Sequence, residues 1–260
     1  MTPALRLDGR SVLVTGATQG IGEAIARAAA AAGAAGVALT GRNAARGAAL
    51  AAELGRTTRT CFVAADLADA ASPAAIVAEA SQKLGLIDGL VNAAGLTDRG
   101  TLEDTPAALW DRLFAVNARA PFLLMQQVVQ RLKAAGRGGA IVNILSMSSH
   151  GGQPFLAAYS ASKGALATLT KNAAHAERHA RIRVNGINLG WADTPGEHAI
   201  QARDGAAPDW LARAGPQQPF GRLIAPDEVA GLALFLLSDR AAMMTGALID
   251  FDQNVIGAYG

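Results

Sequence analysis

Near its start the chain reads Ser11-Val12-Leu13-Val14-Thr15-Gly16-Ala17-Thr18-Gln19-Gly20-Ile21-Gly22, and an alanine-rich run follows at once. The first five residues are typical of a buried strand, and the alanine-rich run is typical of a helix. Glycine permits a tight turn and a close approach of phosphate to the backbone, and a helix N-terminus attracts anions. The stretch therefore predicts a strand–turn–helix unit that binds a dinucleotide pyrophosphate. The residues expected to contact it are Gly16, Thr18, Gln19, Gly20, Ile21 and Gly22.

The glycine spacing of this turn, G-x-x-x-G-x-G, differs from the G-x-G-x-x-G of the commonest dinucleotide-binding fingerprint. Taken alone, the cluster is also compatible with an ordinary turn between a strand and a helix. The predicted strand before it and the predicted helix after it favour a cofactor site, and the other motifs decide between the two interpretations.

Short β-branched runs alternate with longer alanine- and leucine-rich segments along the chain. The predicted strands are 11–15, 37–40, 60–64, 89–92, 140–145, 182–187 and 247–250. The predicted helices are 20–33, 43–54, 73–84, 106–135, 155–178 and 226–237. Apolar strands that alternate with helices are typical of a parallel sheet covered on both faces. We therefore predict an α/β fold, with a doubly wound, Rossmann-like sheet and a single domain over residues 1–260.

Composition excludes several classes of protein. Of the 260 residues, 51% are hydrophobic and 17% are charged, so a disordered chain is not expected. The net charge is only +2 and the basic residues are scattered, which argues against nucleic-acid binding. The lone Cys61 cannot form an internal disulfide, and no stretch reaches the ~18 apolar residues of a membrane span. We expect a soluble, cytoplasmic protein without a metal site, because His175 and His179 have no evident third ligand.

The end of the second predicted strand bears on the choice of cofactor. It reads Thr40-Gly41-Arg42, whereas an acidic residue in place of Gly41 would bind the adenosine ribose and repel a 2′-phosphate. Arginine binds phosphate in bidentate fashion. We therefore expect NADP(H) to be preferred; NAD(H) is the alternative if Arg42 is only a solvated surface residue. Further contacts to the adenosine half are expected from Asp66, Leu67, Asn92, Ala93 and Gly95.

A second group of polar residues follows the fifth predicted strand. Tyr159 and Lys163 lie four residues apart in a predicted helix and share one face, and Ser146 precedes them. A phenol has a pKa near ~10, and an adjacent ammonium, together with the positive charge of an oxidised nicotinamide, is expected to lower the pKa of Tyr159. Tyr159 would then exchange a proton with an alcohol or carbonyl, while Ser146 hydrogen-bonds the same substrate oxygen. The alternative is an amphipathic helix with a half-buried Tyr and a surface Lys.

Together these motifs resemble those of the classical short-chain dehydrogenase/reductase family over essentially the full length of the chain. The matching residues are Thr15-Gly16-x-x-x-Gly20-Ile21-Gly22, Asp66, Asn92-Ala93-Ala94-Gly95, Asn117, Ser146, Tyr159-x-x-x-Lys163 and Gly190-x-x-x-Thr194. The resemblance implies a seven-stranded parallel sheet, a homotetramer or homodimer, and hydride transfer between a nicotinamide and a carbonyl or alcohol.

The resemblance also implies roles for individual residues. Asn117 would bind a water in a proton relay through Lys163. Lys163 would also hold the nicotinamide ribose, and Tyr159 is expected to contact the cofactor as well. Gly190 lies in the loop that faces the nicotinamide, and Thr194 would contact the nicotinamide carboxamide or a nearby phosphate.

Substrate recognition is expected at the mouth of this site. His150, Gln153 and Trp191 combine hydrogen-bonding groups with an aromatic wall, which suits a small polar substrate such as a sugar or polyol. The alternative for His150 is an exposed loop imidazole. Residues 191–220 are rich in Gly, Pro and polar residues, and we expect an irregular substrate flap there. Residues 251–254 are expected to line the substrate entrance or a subunit contact.

Three hypotheses for the function remain. The favoured one is an NADP-preferring dehydrogenase or reductase of a small polar carbonyl or polyol. A 3-oxoacyl reductase of fatty-acid type would need a basic docking patch, but Arg203, Arg213 and Arg222 are interspersed with acidic residues. The third is a regulatory protein that binds the cofactor without turnover, which would have no need of Asn117, Ser146, Tyr159 and Lys163.

Overall fold

The computed structural model describes residues 5–257, and its strands form one seven-stranded parallel sheet. The strands are β1 Ser11–Thr15, β2 Gly36–Gly41, β3 Arg59–Ala64, β4 Gly89–Asn92, β5 Gly139–Ile144, β6 Ile182–Leu189 and β7 Leu248–Phe251. They lie in the order β3-β2-β1-β4-β5-β6-β7, and every neighbouring pair is parallel. The strand order reverses between β1 and β4, which opens a crevice at their carboxyl ends. The predicted doubly wound fold is confirmed.

Helices connect these strands and cover the sheet. Those within residues 5–257 are α1 Gly20–Ala31, α2 Ala44–Leu54, α3 Ser72–Leu84, α4 Ala107–Phe114, α5 Ala120–Ala134, α6 Ala157–Glu177, α7 Pro195–Arg203, α8 Trp210–Ala214 and α9 Pro226–Leu237. None of them has the length and apolar character needed to cross a bilayer.

The alternation of side chains along the strands divides the core into two layers. On β1, Val12 and Val14 face the layer covered by α1, α2 and α9. Leu13 faces the opposite layer, which α3, α5 and α6 cover. Cys61 is buried in this second layer. Each fully buried Leu or Val contributes roughly 1.5–3 kcal/mol, so both layers hold the sheet and its carboxyl edge in place.

The long helix predicted over 106–135 is interrupted. A π-helical segment, Ala115–Arg119, separates α4 from α5. Asn117 lies in this segment, and its buried side chain hydrogen-bonds the backbone of Leu96 in the loop after β4. Such segments are frequent at functional sites, and this one is tied to the loop that borders the crevice.

The sequence suggested an irregular flap at residues 191–220, but much of this segment is helical. It forms α7, α8 and a short 3₁₀ turn, Gly215–Gln217. Pro195 occupies the first turn of α7, and the Thr194 hydroxyl accepts a hydrogen bond from the backbone N–H of Glu197 at 3.1 Å. The sequence of α7 shows no helical repeat of apolar residues, because none of its residues is fully buried.

Candidate active site

A cavity of about 940 Å³ opens at the carboxyl ends of the parallel strands. It brings together the glycine-rich turn after β1 and the Tyr-Lys pair of α6, which are far apart in the sequence. The predicted residues that line it are Gly16, Thr18, Gln19, Gly20, Ile21, Gly22, Arg42, Asp66, Leu67, Ala93, Gly95, Ser146, Gln153, Tyr159, Lys163, Gly190, Trp191 and Thr194. Three other predicted residues, Asn92, Asn117 and His150, are not part of its wall.

The turn between β1 and α1 is packed too closely for side chains. Gly16 has a φ of 65°, and a Cβ added there would lie 2.8 Å from the Cα of Ala94. A Cβ at Gly22 would lie 2.4 Å from the carbonyl oxygen of Gly16. Gln19 caps α1 without a side-chain hydrogen bond. The first amides of the helix are therefore available to an anion in the cavity, and the turn fits a pyrophosphate.

The end of β2, at the adenosine end of the cavity, is crowded by the side chain of Thr18. A Cβ added to Gly41 would lie 2.8 Å from the Cγ2 of Thr18. Arg42 lines the cavity beside it, and the part of the chain that the structure describes supplies no salt-bridge partner for Arg42. A positive charge is thus available where the predicted 2′-phosphate would lie.

Three buried polar side chains mark the chemical end of the cavity. Tyr159 and Lys163 lie on one face of α6, and Ser146 follows β5. The Nζ of Lys163 donates a hydrogen bond of 2.8 Å to the carbonyl of Ile144, and it lies 6.0 Å from the centre of the Tyr159 ring. Burial disfavours the ammonium and lowers the pKa of Lys163 to about 8.

The lowered pKa expected for Tyr159 includes the charge of an oxidised nicotinamide, and in the protein alone the pKa is raised instead. Burial of the phenol raises its pKa, because the phenolate would lose its hydration. The interaction with the Ser146 side chain acts in the opposite direction, and the negative charge of Glu197 raises the pKa further. Lys163 does not offset burial, because with a pKa of about 8 it has lost its charge at the higher pH where this phenol ionises.

Asn117 lies behind the cavity wall. Its Nδ2 donates to the carbonyl of Leu96 at 2.9 Å and to the Oγ of Ser162 at 3.0 Å, and its Oδ1 accepts from the Leu96 N–H at 2.9 Å. A Cβ added at Gly95 would lie 3.4 Å from the Lys163 Nζ and 3.6 Å from the Asn117 Oδ1. Asn117 and Lys163 therefore border the same small space beside Gly95.

The other two predicted residues outside the wall lie in separate environments. Asn92 is buried at the end of β4, where its Nδ2 donates to the Oδ1 of Asn143 on β5 at 2.8 Å. His150 lies 3.2 Å from the Oδ1 of Asp250 and 3.3 Å from the Nδ2 of Asn188. Asn92 thus joins two strands beneath the cavity, and His150 contacts the end of β7.

Several residues at the mouth of the cavity were not singled out from the sequence. They come from loops and from α7, and they are Arg99, Phe155, Glu197 and Gln201. Arg99 lies 3.1 Å from Asp204 and 3.6 Å from Glu197, so it joins the loop after β4 to α7. Asp252 and Asn254 also line the cavity, in agreement with the expectation for residues 251–254. These contacts could not be predicted from the sequence pattern, because the residues that make them are far apart along the chain.

Comparison with known proteins gives the family. Residues 16–253 match the family model described as Enoyl-(Acyl carrier protein) reductase. The chain is 35% identical to the sorbitol dehydrogenase of Cereibacter sphaeroides over 257 residues, which cover 95% of this chain and 98% of that protein. The chain belongs to the short-chain dehydrogenase/reductase family. This member of the family is therefore an oxidoreductase that acts on alcohol and carbonyl groups.

Two further relatives extend the comparison. The dehydrogenase is 41% identical to the D-threitol dehydrogenase of Mycolicibacterium smegmatis over 256 residues, which cover 98% of this chain and 94% of that protein. The crystal structure of a 3-oxoacyl (acyl-carrier-protein) reductase from Agrobacterium tumefaciens with NADP bound matches it with a TM-score of 0.87. That structure shares 28% identity with it, and 96% of each chain is covered.

Proposed function

We propose that this short-chain dehydrogenase/reductase interconverts a small polyol or sugar with its carbonyl counterpart and prefers NADP(H). The observation that carries the proposal is one cavity that combines buried Ser146, Tyr159 and Lys163 with a polar mouth. The mouth includes Gln153, Glu197, Gln201 and Asn254. The names of the sorbitol and D-threitol dehydrogenases support the same substrate class.

The cavity is proposed to hold a nicotinamide dinucleotide. The residues proposed to hold the pyrophosphate are those of the turn 16–22, because no side chain there obstructs the helix amides. Asp66, Leu67, Asn92, Ala93 and Gly95 are proposed for the adenosine half, and Lys163, Gly190 and Thr194 for the nicotinamide half. Of these, Asn92 lies beneath the wall and would act by shaping the loop after β4. When bound, the cofactor supplies or accepts the hydride.

The residues of the chain handle the proton. In alcohol oxidation, the Tyr159 phenolate is proposed to take the proton of the substrate hydroxyl; in carbonyl reduction, the phenol returns it. Ser146 donates a hydrogen bond to the same substrate oxygen. The proton is then proposed to pass by Lys163 towards Asn117, which is supported by their common position beside Gly95.

The preference for NADP(H) over NAD(H) rests on the charge and space at the end of β2. Arg42 offers a guanidinium at the cavity wall, and a guanidinium pairs with phosphate in bidentate fashion. Gly41 itself lacks the carboxylate that would bind the ribose hydroxyls instead, and an acid at this position would require the Thr18 side chain to move. NADP in the Agrobacterium tumefaciens reductase supports the same choice.

The residues 191–220 are proposed to act as a substrate flap within a single catalytic domain over residues 1–260. Arg203 lies 2.6 Å from Asp98, and Arg99 lies 3.1 Å from Asp204. These two ion pairs join the end of α7 to the loop after β4 at the cavity mouth. Gln153 and Trp191 line this mouth and are proposed to contact the substrate, whereas His150 would act only at its edge.

The alternative of a 3-oxoacyl reductase has less support. An acidic carrier protein needs a basic docking patch, but the flap arginines are paired. Arg203 lies 2.6 Å from Asp98, Arg213 lies 2.8 Å from Asp209, and Arg222 lies 2.7 Å from Glu228. The names of the sorbitol and D-threitol dehydrogenases favour an enzyme over a regulatory protein without turnover.

We also propose a cytoplasmic homotetramer or homodimer. Trp110 on α4 and Phe122 on α5 are each 44% exposed, and they flank the segment that holds Asn117. Exposed aromatic side chains of this kind are enriched at subunit contacts. The buried, unpaired Cys61 agrees with a reducing compartment.

A substrate screen tests the proposed function. The purified protein is assayed with NADP⁺ and NAD⁺ against polyols that include sorbitol and D-threitol, and with NADPH against sugars and 3-oxoacyl thioesters. We expect NADP⁺-dependent oxidation of at least one polyol. Faster turnover of the thioesters would favour the acyl reductase, and no turnover of any compound would favour the regulatory protein.

A further inference from the structure

Glu197 has the sequence context of a helix cap but is not used as one. Thr194-Pro195-Gly196-Glu197 has the spacing of a capping box, in which the glutamate returns to the backbone N–H of the first residue. Within residues 5–257 only half of this box forms, as the Thr194 hydroxyl accepts from the Glu197 N–H. At α9, by contrast, the Oε2 of Glu228 accepts from the Ala225 N–H at 2.8 Å. The Glu197 carboxylate is therefore directed elsewhere.

The carboxylate of Glu197 lies at the mouth of the cavity with one oxygen engaged. Its Oε1 accepts from the Nε1 of Trp191 at 3.0 Å and from the Nε2 of Gln201 at 2.7 Å, and Arg99 lies 3.6 Å away. In the described residues, no hydrogen bond reaches its Oε2. The side chain is only 16% exposed, yet it lines the cavity. A carboxylate accepts several hydrogen bonds at each oxygen, so Oε2 is a fixed acceptor at the cavity wall.

This acceptor shares the cavity with the residues of the chemical end. Glu197 lines the same cavity as Ser146 and Tyr159, and its negative charge raises the pKa of the Tyr159 phenol. Arg99 offsets much of the negative charge of Glu197. A carboxylate balanced in this way is suited to a neutral hydroxyl rather than to the capture of a cation.

We propose that Glu197 is a specificity-determining residue whose Oε2 accepts a hydrogen bond from a second hydroxyl of the substrate, while the first hydroxyl reacts at Tyr159. The assignment rests on the proposed function of polyol oxidation. A substrate with one hydroxyl would leave Oε2 without a partner in a largely buried position, and a site with an unpaired polar group discriminates against such a substrate. Glu197 thus selects compounds with at least two hydroxyl groups.

The test compares substrates with and without a second hydroxyl. Wild-type protein, Glu197→Ala and Glu197→Gln are assayed with NADP⁺ and either the best polyol or 2-butanol. We expect kcat/KM for the polyol to fall about 10- to 100-fold in Glu197→Ala, because a charge-assisted hydrogen bond is lost. The loss should be smaller in Glu197→Gln, which keeps a neutral acceptor, and kcat/KM for 2-butanol should not fall in either variant.

Asp204→Asn is the matched control. It removes the other partner of Arg99 and leaves the Glu197 carboxylate in place, so the ratio of the two substrates should remain that of the wild type. Equal losses for both substrates in Glu197→Ala, no loss for either, or the same selective loss in Asp204→Asn would overturn the assignment. Turnover of 2-butanol without any polyol by the wild type would overturn the proposed function and the assignment together.

Discussion

The ammonium of Lys163 lies 6.0 Å from the centre of the Tyr159 ring, and its hydrogen bond goes to the carbonyl of Ile144. Both groups are buried, and burial disfavours the charged form of each. The pKa of Lys163 falls to about 8, whereas that of Tyr159 rises. The resting form of Tyr159 is thus a neutral phenol, which is the form that donates a proton to a carbonyl.

This relationship predicts opposite pH dependences for the two directions of the reaction. Oxidation needs the phenolate, so its kcat/KM should rise with pH through the neutral and alkaline range. Reduction needs the phenol and should decline only at alkaline pH. The charged groups that line the cavity with Tyr159 are Arg42, Asp66, Arg99, Arg112, Lys163, Glu197 and Asp252. Plots of kcat/KM against pH, at saturating NADP⁺ for oxidation and at saturating NADPH for reduction, measure the two dependences.

Removal of the charge at position 197 should lower the pH at which kcat/KM for oxidation rises, because the Glu197 carboxylate raises the pKa of Tyr159. The measurement is the pH profile of 2-butanol oxidation by Glu197→Gln, with Asp204→Asn as the charge-matched control. If kcat/KM rose at the same pH in Glu197→Gln as in the wild type, the charge of Glu197 would not influence the pKa of Tyr159.

Replacement of Tyr159 by Phe should remove the proton donor without disturbing the cofactor site. We expect kcat to fall by about 10²- to 10⁴-fold, the range that general acid–base catalysis contributes. The dissociation constant of NADPH, measured by fluorescence, should stay close to that of the wild type. Turnover that survives in Tyr159→Phe would refute the role of Tyr159, and Ser146→Ala should retain more activity because it removes only a hydrogen bond.

The sequence predicted the sheet well because its signal is local. Each predicted strand overlaps an observed one, since runs such as 11–15 and 89–92 have an apolar centre and are buried at every residue. The π-helical segment at Asn117 was not predictable, because its partners Leu96 and Ser162 come from other elements. The raised pKa of Tyr159 has the same origin: burial depends on tertiary packing, whereas the pair with Lys163 is visible in the sequence.

Glu197 shows how a local pattern can mislead. The spacing from Thr194 to Glu197 is that of a capping box, which assigns the carboxylate to the helix terminus. In the structure the carboxylate instead accepts from Trp191 and Gln201 and lies near Arg99, whose position depends on the loop after β4. The expectation of an irregular flap at 191–220 missed this helix start, and the spacing alone would have given the side chain a different partner.

The buried Lys163 should reduce the stability of the protein without cofactor. Its pKa falls from 10.5 to about 8, and a tenfold change in proton affinity corresponds to about 1.4 kcal/mol, so burial costs about 3 kcal/mol below pH 8. Between pH 8 and 10.5 the unfolded chain binds the proton that the folded chain has released, so the free energy of unfolding rises with pH in this window.

Lys163→Met should therefore be more stable than the wild type at pH 7, and its advantage should shrink from pH 8 to 10.5. The loss of the hydrogen bond to Ile144 reduces the gain by about 1 kcal/mol. Thermal unfolding across this pH range measures the difference. Lys171→Met, an exposed position on the same helix, is the control and should show no such trend; a constant difference for Lys163→Met would contradict the lowered pKa.

Exchange of Arg42 for Asp should change the cofactor preference. The substitution removes the guanidinium at the adenosine end of the cavity and adds a carboxylate that repels a 2′-phosphate. Position 42 is the suitable place for the acid, since a Cβ at Gly41 would lie 2.8 Å from Thr18. The ratio of kcat/KM for NADP⁺ to that for NAD⁺ should fall about 10- to 100-fold, as expected for the loss of a charge-assisted hydrogen bond. Arg56→Asp makes the same change in charge at an exposed site outside the cavity wall and should leave the ratio unaltered. If both variants kept the wild-type ratio, Arg42 would be a surface residue that does not contact the phosphate.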